Sequence, residues 1–442
     1  MYRGGPVNQA KKPCPAQAGE GHWEVVDQQL VPWCLLLERM AMKMDDDRVN
    51  QLVQQWLNER GYQVALLSLQ QESGVKVEDI AAGGQLCSML YEFAELKAML
   101  EPVSTDPLEA ERKAAEADLL ATEDRSVEIP LVAGKVYANI HAANIISARF
   151  SPDGALIATG STDRTVKVVD AATGGSVRTV TVHAAPVLSV GFCPADSSLL
   201  LSTAMDGSTI LSSVSDGAEV LVVKDHAKYV AHAVWSVDGH AFATAGHDRK
   251  VNVYRRAAGV ENGAFGKVLE RDFVAIPEAI CFLDDCVTLV IAVREDNYFH
   301  YVDTSDPKAD DLKVNQNQLG DDHVSFTVLD LVVSPNGKYL LASTDKSRLI
   351  LYLVGTSIQL RSFYGAVNDD LCQTRACFHP SGAFVYVTSQ DNKVYGWRIR
   401  DQKVVARLTG HAAVVRDIDI SKDGKTLISA SFDKTIRAWT PS

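Results

Sequence analysis

Short apolar runs separated by turn residues fill the chain from about residue 130 onward. Runs such as ALIATG (155–160) and KTLISAS (425–431) are rich in Ile, Leu and Thr, and each follows an Asp-Gly dipeptide. β-Branched residues favour strands, and Asp-Gly supplies the positive φ angles that tight hairpins need. The pattern therefore predicts an all-β domain of many short strands joined by hairpin turns over residues 130–442.

This strand pattern repeats along the domain. Segments related to SFDKTIRAW (431–439) recur every 42–49 residues, and their aspartates are Asp163, Asp206, Asp248, Asp296, Asp345, Asp391 and Asp433. Histidines stand 22 or 23 residues before five of these aspartates, at His141, His183, His226, His323 and His411. In the fourth and sixth units, Val274 and Asp369 occupy that position. Seven units of about four strands each predict a seven-bladed β-propeller.

The marking of each unit by His, Ser or Thr, Asp and Trp resembles the WD40 family over residues 130–442. The resemblance implies a hydrogen-bonded tetrad inside each blade. The complete predicted set is His411, Ser431, Asp433 and Trp439. Partial sets are Ser389, Asp391 and Trp397 in the sixth unit, and His141, Ser161 and Asp163 in the first. The resemblance is specific for the fold, but this fold hosts many unrelated functions.

The seventh unit contains only three predicted strands. The segment AGKVYANIH (133–141) precedes the first unit and has no other predicted partner. We therefore expect this segment to supply the fourth strand of the seventh blade. Such pairing between distant parts of the chain would close the ring and remove two exposed sheet edges.

The WD40 resemblance also implies a binding face. In that family the residue before the tetrad aspartate lies on the wider face, near the central pore. The corresponding residues are Thr162, Met205, His247, Glu295, Thr344, Gln390 and Phe432. Met and aromatic side chains suit the core of a protein interface. The alternative is that Met205 and Phe432 only pack against neighbouring loops.

A helical pattern marks residues 49–74. Val49, Leu52, Val53, Trp56 and Leu57 fall at i, i+3, i+4, i+7 and i+8, which places them on one face of an amphipathic helix. Gly61 is well placed to end this helix. The apolar stripe is too large for two short helices to bury alone, so a partner surface is expected.

This segment resembles the LisH motif, a small helical dimerisation element. The matching residues are Asn50, Val53, Trp56, Leu57, Gly61, Tyr62 and Glu72, whereas Leu69 stands where the family usually has an aromatic residue. The resemblance implies a homodimer, and the alternative is a helical hairpin that docks on its own propeller. Around it we expect a disordered leader (1–22), a further helical segment (23–48), a LisH-like region (49–100) and a charged helical linker (101–129), solvated or part of a short coiled coil.

Charge and hydropathy restrict the function. The net charge is −13; residues 1–128 hold 12 Lys and Arg against 22 Asp and Glu, a net of −10, which leaves −3 for the rest. This balance argues against a nucleic-acid binder. No apolar run is long enough to span a bilayer, and the N-terminus lacks the apolar core of a secretory signal. We expect an intracellular, cytoplasmic protein, with nuclear or ciliary placement left open.

Two motifs imitate catalytic sites. Asp-Lys-Thr at 433–435 resembles an aspartyl-phosphate sequence, but it recurs at the repeat period as a variant of DRT and DRK. Asp-Gly-Lys-Thr at 423–426 resembles the end of a phosphate loop, but Asp419 stands where the first glycine would be. We therefore expect no catalysis, no metal, no cofactor and no small-molecule substrate.

The sequence predicts a protein-binding scaffold that acts within a larger complex. One alternative is a substrate receptor of a ubiquitin ligase, whose Trp-Asp-x-Arg signature is approximated by WRIR (397–400), with Arg398 in place of the acid. Another is a structural subunit of a ciliary, microtubule-associated or RNA-processing assembly.

Overall fold

The computed structural model describes Gln54 and residues 107–122, 127–180, 183–257, 265–317, 320, 326–368 and 373–441. From residue 107 onward, the described part contains one helix, α1 (Pro107–Ala121), and 28 strands in seven four-stranded antiparallel sheets. The seven sheets are the blades of the predicted propeller, so the predicted fold is confirmed. None of the described helices is long and apolar enough to cross a membrane.

The first three blades follow one another along the chain. Blade 1 contains β2 (Ile145–Phe150), β3 (Leu156–Ser161), β4 (Val166–Asp170) and β5 (Ser176–Val180). Blade 2 contains β6 (Val187–Cys193), β7 (Asp196–Ala204), β8 (Thr209–Ser213) and β9 (Glu219–Val223). Blade 3 contains β10 (Val230–Trp235), β11 (Ala241–Gly246), β12 (Lys250–Arg256) and β13 (Phe265–Asp272).

The remaining four blades keep the same order of strands. Blade 4 contains β14 (Pro277–Phe282), β15 (Thr288–Val293), β16 (Tyr298–Asp303) and β17 (Leu312–Asn315). Blade 5 contains β18 (Val328–Val333), β19 (Tyr339–Thr344), β20 (Arg348–Leu353) and β21 (Gln359–Tyr364). Blade 6 contains β22 (Ala376–Phe378), β23 (Phe384–Thr388), β24 (Lys393–Arg398) and β25 (Val404–Thr409). Blade 7 contains β26 (Val415–Ile420), β27 (Leu427–Ser431), β28 (Ile436–Thr440) and β1 (Val132–Tyr137).

The first strand of each blade lines a central channel. These inner strands contact one another in the order β2, β6, β10, β14, β18, β22, β26, and β26 contacts β2 again. The apolar side chains pack between neighbouring blades, where Trp397 and Trp439 are among the largest fully buried residues. The core is therefore a ring of blade-to-blade layers around a central channel.

The ring is closed by β1. This strand pairs antiparallel with β28, with Val132 opposite Thr440 and Tyr137 opposite Ile436. The segment expected to complete the seventh blade does so, over residues 132–137 rather than 133–141. Tyr137 also donates a hydrogen bond from its hydroxyl to the Ala171 carbonyl, 2.6 Å away, which ties the closing strand to blade 1.

Helix α1 packs on the propeller at blades 5 and 6. Ala115 and Leu119 are buried in the cluster that contains Tyr339 and Leu360. Asp118 accepts a 2.7 Å hydrogen bond from the Tyr339 hydroxyl. The sequence predicted a charged helical linker over 101–129, either solvated or part of a short coiled coil; in the described part of this range the structure does have a helix, but one side of it is buried against the propeller rather than solvated. The small Ala115 allows the close approach that a solvated helix does not need.

Candidate protein-interaction face

Four histidines of the repeat lie on one side of the propeller, which we call the upper face; they are His141, His183, His226 and His411, and the fifth, His323, lies outside the described residues. The upper face is formed by the turn between the second and third strands of each blade and by the loop that leads into the blade. In blade 7, His411 Nδ1 lies 2.8 Å from Asp433 Oδ2, and His411 Nε2 lies 2.7 Å from Ser429 Oγ. Trp439 Nε1 donates to Ser429 Oγ at 2.8 Å. Because the carboxylate only accepts, the bonds run from Trp439 through Ser429 and His411 to Asp433.

The serine of this tetrad is Ser429, so the prediction of Ser431 is wrong. Ser431 Oγ donates to the Ala413 carbonyl at 3.0 Å and accepts the Asp433 amide at 3.1 Å. The two serines lie two residues apart on one strand, and their side chains therefore point to the same side of the sheet. The alternation of side chains along the strand does not distinguish Ser429 from Ser431, whereas their contacts with the His411 imidazole ring do.

The same correction applies in blade 1. His141 Nδ1 lies 2.9 Å from Asp163 Oδ2, and its Nε2 lies 2.8 Å from Thr159 Oγ1. Ser161, the predicted member, donates instead to the Asn144 carbonyl at 2.8 Å. Burial alone would raise the pKa of Asp163, but hydrogen bonds from Thr165 and the contact with His141 outweigh it and lower that pKa to about 2.

Blades 4 and 6 lack the loop histidine and use a different partner for the aspartate. In blade 4, His300 Nε2 lies 2.9 Å from Asp296 Oδ2, and in blade 6 the Tyr395 hydroxyl donates to Asp391 at 2.7 Å. Both partners stand four residues after the aspartate, on the third strand of the blade. The Trp397 indole donates to the Tyr364 carbonyl rather than to a serine, so the predicted sixth set of Ser389, Asp391 and Trp397 is not a tetrad of the blade-7 type.

The rim of the upper face has a common backbone contact. The residue after the second strand donates its amide to a carbonyl of the preceding loop, as Met205 does to Pro186 and Phe432 to Val414. Thr162, His247 and Gln390 hold equivalent positions by their amide bonds to Asn144, Tyr229 and Val367.

In blades 4 and 5 this position is held by Arg294 and Asp345, not by the predicted Glu295 and Thr344. The Arg294 amide donates to Ile276 at 2.8 Å, and the Asp345 amide donates to Thr327 at 3.1 Å. Thr344 is fully buried within the sheet and cannot face a partner. The turn in each of these blades is shifted by one residue, which the position of the aspartate in the sequence does not reveal.

The rim carries an exposed apolar side chain and a half-buried aromatic pair. Met205 is 49% exposed. The His247 ring stacks on Tyr229 with 3.9 Å between ring centroids. Burial, with the nearby charges of Arg294 and Lys228, lowers the pKa of His247 to about 4, so its ring is neutral near pH 7. These groups offer a partner apolar and aromatic contact without the desolvation of a charge.

A cavity of about 190 Å³ opens between blades 4 and 5 at this face. Its lining consists of Arg294, Glu295, Thr327, Leu329 and Asp345. Arg294 Nε donates to the buried Glu278 carboxylate at 2.6 Å. Burial raises the pKa of Glu278, and Arg294 only partly offsets that effect. The cavity can take one side chain of a bound peptide.

The channel below the upper face is crossed by Arg375. This residue, directly before β22 of blade 6, donates from Nη1 to His232 Nδ1 of blade 3 at 2.7 Å and to Asp330 of blade 5 at 2.9 Å. Blades 3 and 6 are not neighbours in the ring, so the guanidinium spans the channel. Sequence analysis did not find this cluster because its members are up to 143 positions apart.

Among the described residues, no three His, Cys, Asp or Glu side chains are grouped so that they could hold a metal ion. The face is built instead from rim side chains, a cavity of about 190 Å³ and the channel crossed by Arg375. This arrangement suits recognition of a polypeptide.

Comparison with known proteins agrees with the fold. The WD40 family (WD domain, G-beta repeat) matches residues 135–170, 217–255 and 402–440. With the seven-bladed ring, these matches show that residues 132–440 form a WD40-type β-propeller. A WD40-type propeller is typical of protein-interaction scaffolds, although the fold alone does not determine the function.

Individual relatives are similar over limited stretches. The WD repeat-containing protein WDS homolog of Arabidopsis thaliana is 30% identical over 117 residues, 26% of this chain and 22% of that protein. The transducin beta-like protein 3 of Bos taurus is 24% identical over 318 residues, 69% of this chain and 38% of that protein. The transcriptional corepressor LEUNIG_HOMOLOG of Arabidopsis thaliana is 44% identical over 63 residues, 14% of this chain and 8% of that protein. The chain therefore spans well under two thirds of the relatives it matches.

Proposed function

We propose that the protein is a non-enzymatic, intracellular scaffold that binds partner proteins on the upper face of its propeller and dimerises through residues 49–100. The observation that carries the first part is the WD40-type propeller with Met205, Phe432 and the Tyr229–His247 stack at one rim. Met and aromatic groups are enriched in interface cores, whereas isolated surface apolar residues carry little meaning.

Proximity labelling in the native cell tests this part. Met205→Glu and Phe432→Glu place a charge on the upper face. Val237→Glu is the matched control, because Val237 is also an exposed apolar residue but lies in the lower hairpin turn at 236–239. We expect the two upper-face variants to lose the same subset of labelled proteins and the control to keep it. Identical protein sets for all three variants would contradict the proposal.

The dimerisation part rests on sequence alone. All the residues predicted to form the dimer lie outside the described residues. They are Asn50, Val53, Trp56, Leu57, Gly61, Tyr62, Leu69 and Glu72. Light scattering on the full chain and on a variant that lacks residues 1–100 but keeps α1 measures the mass. We expect twice the monomer mass of 48.0 kDa for the full chain and a monomer for the variant. A monomeric full chain would defeat this part of the proposal. A dimer would present two copies of the upper face, and the avidity of weak contacts would rise.

The second candidate function is that of a substrate receptor of a ubiquitin ligase. The supporting observation is that Arg400 is exposed two residues after the end of β24, where an arginine of the receptor signature would stand. Against it, Arg398 replaces the acid of that signature and pairs with Asp401 at 3.2 Å. Co-purification of a cullin ligase with the wild type, lost in Arg400→Ala, would support this function.

A stable subunit of a large assembly would instead be found at fixed stoichiometry with that assembly.

A further inference from the structure

The fourth strand of each blade leaves one edge of its sheet unpaired. These outer strands are β5, β9, β13, β17, β21, β25 and β1, and each lies at the end of its sheet. The outward side of each presents backbone N–H and C=O groups that no described strand pairs with. Such an edge can template the addition of a further strand, and proteins commonly protect it with a charged side chain, especially lysine, or with proline.

Six of the seven described outer strands contain such a cation. They are β1 with Lys135, β5 with Arg178, β13 with Lys267, β17 with Lys313, β21 with Arg361 and β25 with Arg407. Strand β9, with the sequence EVLVV, is the one described outer strand that has no Lys, Arg or Pro. A β-bulge does not set it apart, because β9 and five other outer strands all have an irregular register with the third strand. The edge of β9 is therefore the least protected.

The side chains of β9 also favour pairing. Val220 is 55% exposed and Val222 is 43% exposed. Leu221 and Val223 pack against the cluster that contains Phe242 of blade 3. This packing holds β9 in its extended conformation, so the strand needs little further ordering when another strand pairs with it. β-Branched residues are favourable neighbours across a strand pair.

The charges at the two ends of β9 make the strand complementary to itself. Glu219 is its first residue, and Lys224 directly follows its last. Both side chains are exposed and form no ion pair with another described residue. Asp225, next to Lys224, already accepts the Tyr254 hydroxyl at 2.9 Å. When two copies of β9 run antiparallel, the acidic end of each lies beside the basic end of the other, whereas a parallel pair would bring like charges together.

We propose that two copies of this chain associate by antiparallel pairing of β9 with β9. The second blades of the two copies then form one eight-stranded sheet across a two-fold axis at Leu221. This centre places Val220 opposite Val222 of the second copy. A centre at Val222 would instead place Glu219 opposite Asp225, and like charges directly opposite are unfavourable. The contact uses the outer wall of blade 2, so the upper face stays free, and it does not require residues 49–100.

The association through β9 is weak by itself, because a pair of short strands buries little surface. We expect a dissociation constant of about 100 μM, in the range of small transient interfaces. Light scattering at about 1 μM therefore reports on residues 49–100 alone. In a dimer held by those residues the second copy is tethered, so its effective concentration is higher and the β9 pair forms more readily.

Chemical crosslinking of the full-length protein tests the inference. A short bismaleimide is added to Val222→Cys at about 100 μM protein, where the β9 pair is populated. Val177→Cys is the matched control, because Val177 is also an exposed valine on an outer strand, β5, but Arg178 protects that strand. The wild type, which keeps its native cysteines, gives the background. We expect at least tenfold more covalent dimer from Val222→Cys than from Val177→Cys. Equal yields would overturn the inference.

A protective charge on the edge should prevent the pairing. Val220→Lys is added to Val222→Cys, and Val177→Lys is added to the same background as its control. All three substitutions lie at exposed positions. We expect the yield of covalent dimer to fall about tenfold with Val220→Lys and to remain unchanged with Val177→Lys. Undiminished crosslinking with Val220→Lys would overturn the inference.

Two further outcomes separate this inference from its alternatives. If the purified chain gives no covalent dimer and Val220→Lys loses a protein from the set found by proximity labelling, the edge binds a strand of another protein, which would overturn pairing with a second copy. Failure of the proposed function would appear differently, as a monomeric full chain at about 1 μM or as unchanged partner sets in Met205→Glu and Phe432→Glu. Neither result depends on the crosslinking of Val222→Cys.

Discussion

Arg149 of blade 1 and Asp417 of blade 7 form an ion pair with 2.6 Å between Nη1 and Oδ1, although they are 268 positions apart. Asp417 also accepts the Ser147 hydroxyl at 2.8 Å and the Ala148 amide at 3.0 Å. Its side chain is 2% exposed. One carboxylate therefore joins the inner strands of the first and last blades, beside the place where β1 closes the ring.

Removing this carboxylate should weaken the junction between blades 1 and 7. Asp417→Ala leaves a guanidinium, a hydroxyl and an amide without their acceptor, and breaking a buried pair typically costs about 3 kcal/mol or more. We expect chemical denaturation to show that loss in the free energy of unfolding. Asp153→Ala, in an exposed lower turn of blade 1, is the control. A loss no larger than that of the control would contradict the assigned role.

The corrected tetrad makes a separate prediction. Ser429→Ala leaves the Trp439 indole donor and the His411 Nε2 acceptor unmatched, which should lower the free energy of unfolding by about 2 kcal/mol. Ser431→Ala removes contacts to backbone groups only and should cost about 1 kcal/mol. Denaturation curves of the two variants decide between the serines. A larger loss for Ser431→Ala would restore the original prediction.

The closing strand can be tested at Tyr137. Its ring is buried in the cluster that joins blades 7 and 1, so Tyr137→Ala should cost about 3 kcal/mol. Tyr137→Phe keeps the ring and loses only the hydrogen bond to Ala171, so it should cost about 1 kcal/mol. Thermal unfolding measures both. Equal effects of the two variants would show that packing of this ring does not stabilise the closure.

The period of the repeat was enough to predict seven blades and the closing strand, because each depends on local strand and turn patterns. The rim was harder. In blades 1, 3, 6 and 7 the residue with positive φ directly follows the aspartate, as Arg164 does, but in blade 4 it is Glu295, before the aspartate, and in blade 5 it is Ser347, two residues after it. Because the turns differ in these two blades, the rim positions are held by Arg294 and Asp345 rather than by the predicted Glu295 and Thr344. The cluster of His232, Asp330 and Arg375 left no local signal, since it forms only when the ring closes.

Helix α1 offers a matched pair of leucines. Leu119 is 2% exposed against the propeller, and its neighbour Leu120 is 46% exposed. Leu119→Ala should cost about 3 kcal/mol at the docking site, so amide hydrogen exchange in α1 should accelerate by about a hundredfold while the core strands keep their protection. Leu120→Ala should leave exchange unchanged. Slow exchange in both variants would show that the apolar contact does not hold the helix.

Stability should depend on pH through His183. The buried ring of His183 contacts the hydroxyls of Ser202 and Ser208. Burial lowers the pKa of His183 to about 4. The unfolded chain binds the proton near pH 6.5, so the contribution of His183 to stability is present above pH 6.5 and is lost as the pH falls towards 4, by about 3 kcal/mol. In His183→Gln this part of the loss should vanish, and melting temperature plotted against pH should be flatter than for the wild type. Parallel curves for His183→Gln, the wild type and the exposed control His240→Gln would refute this account.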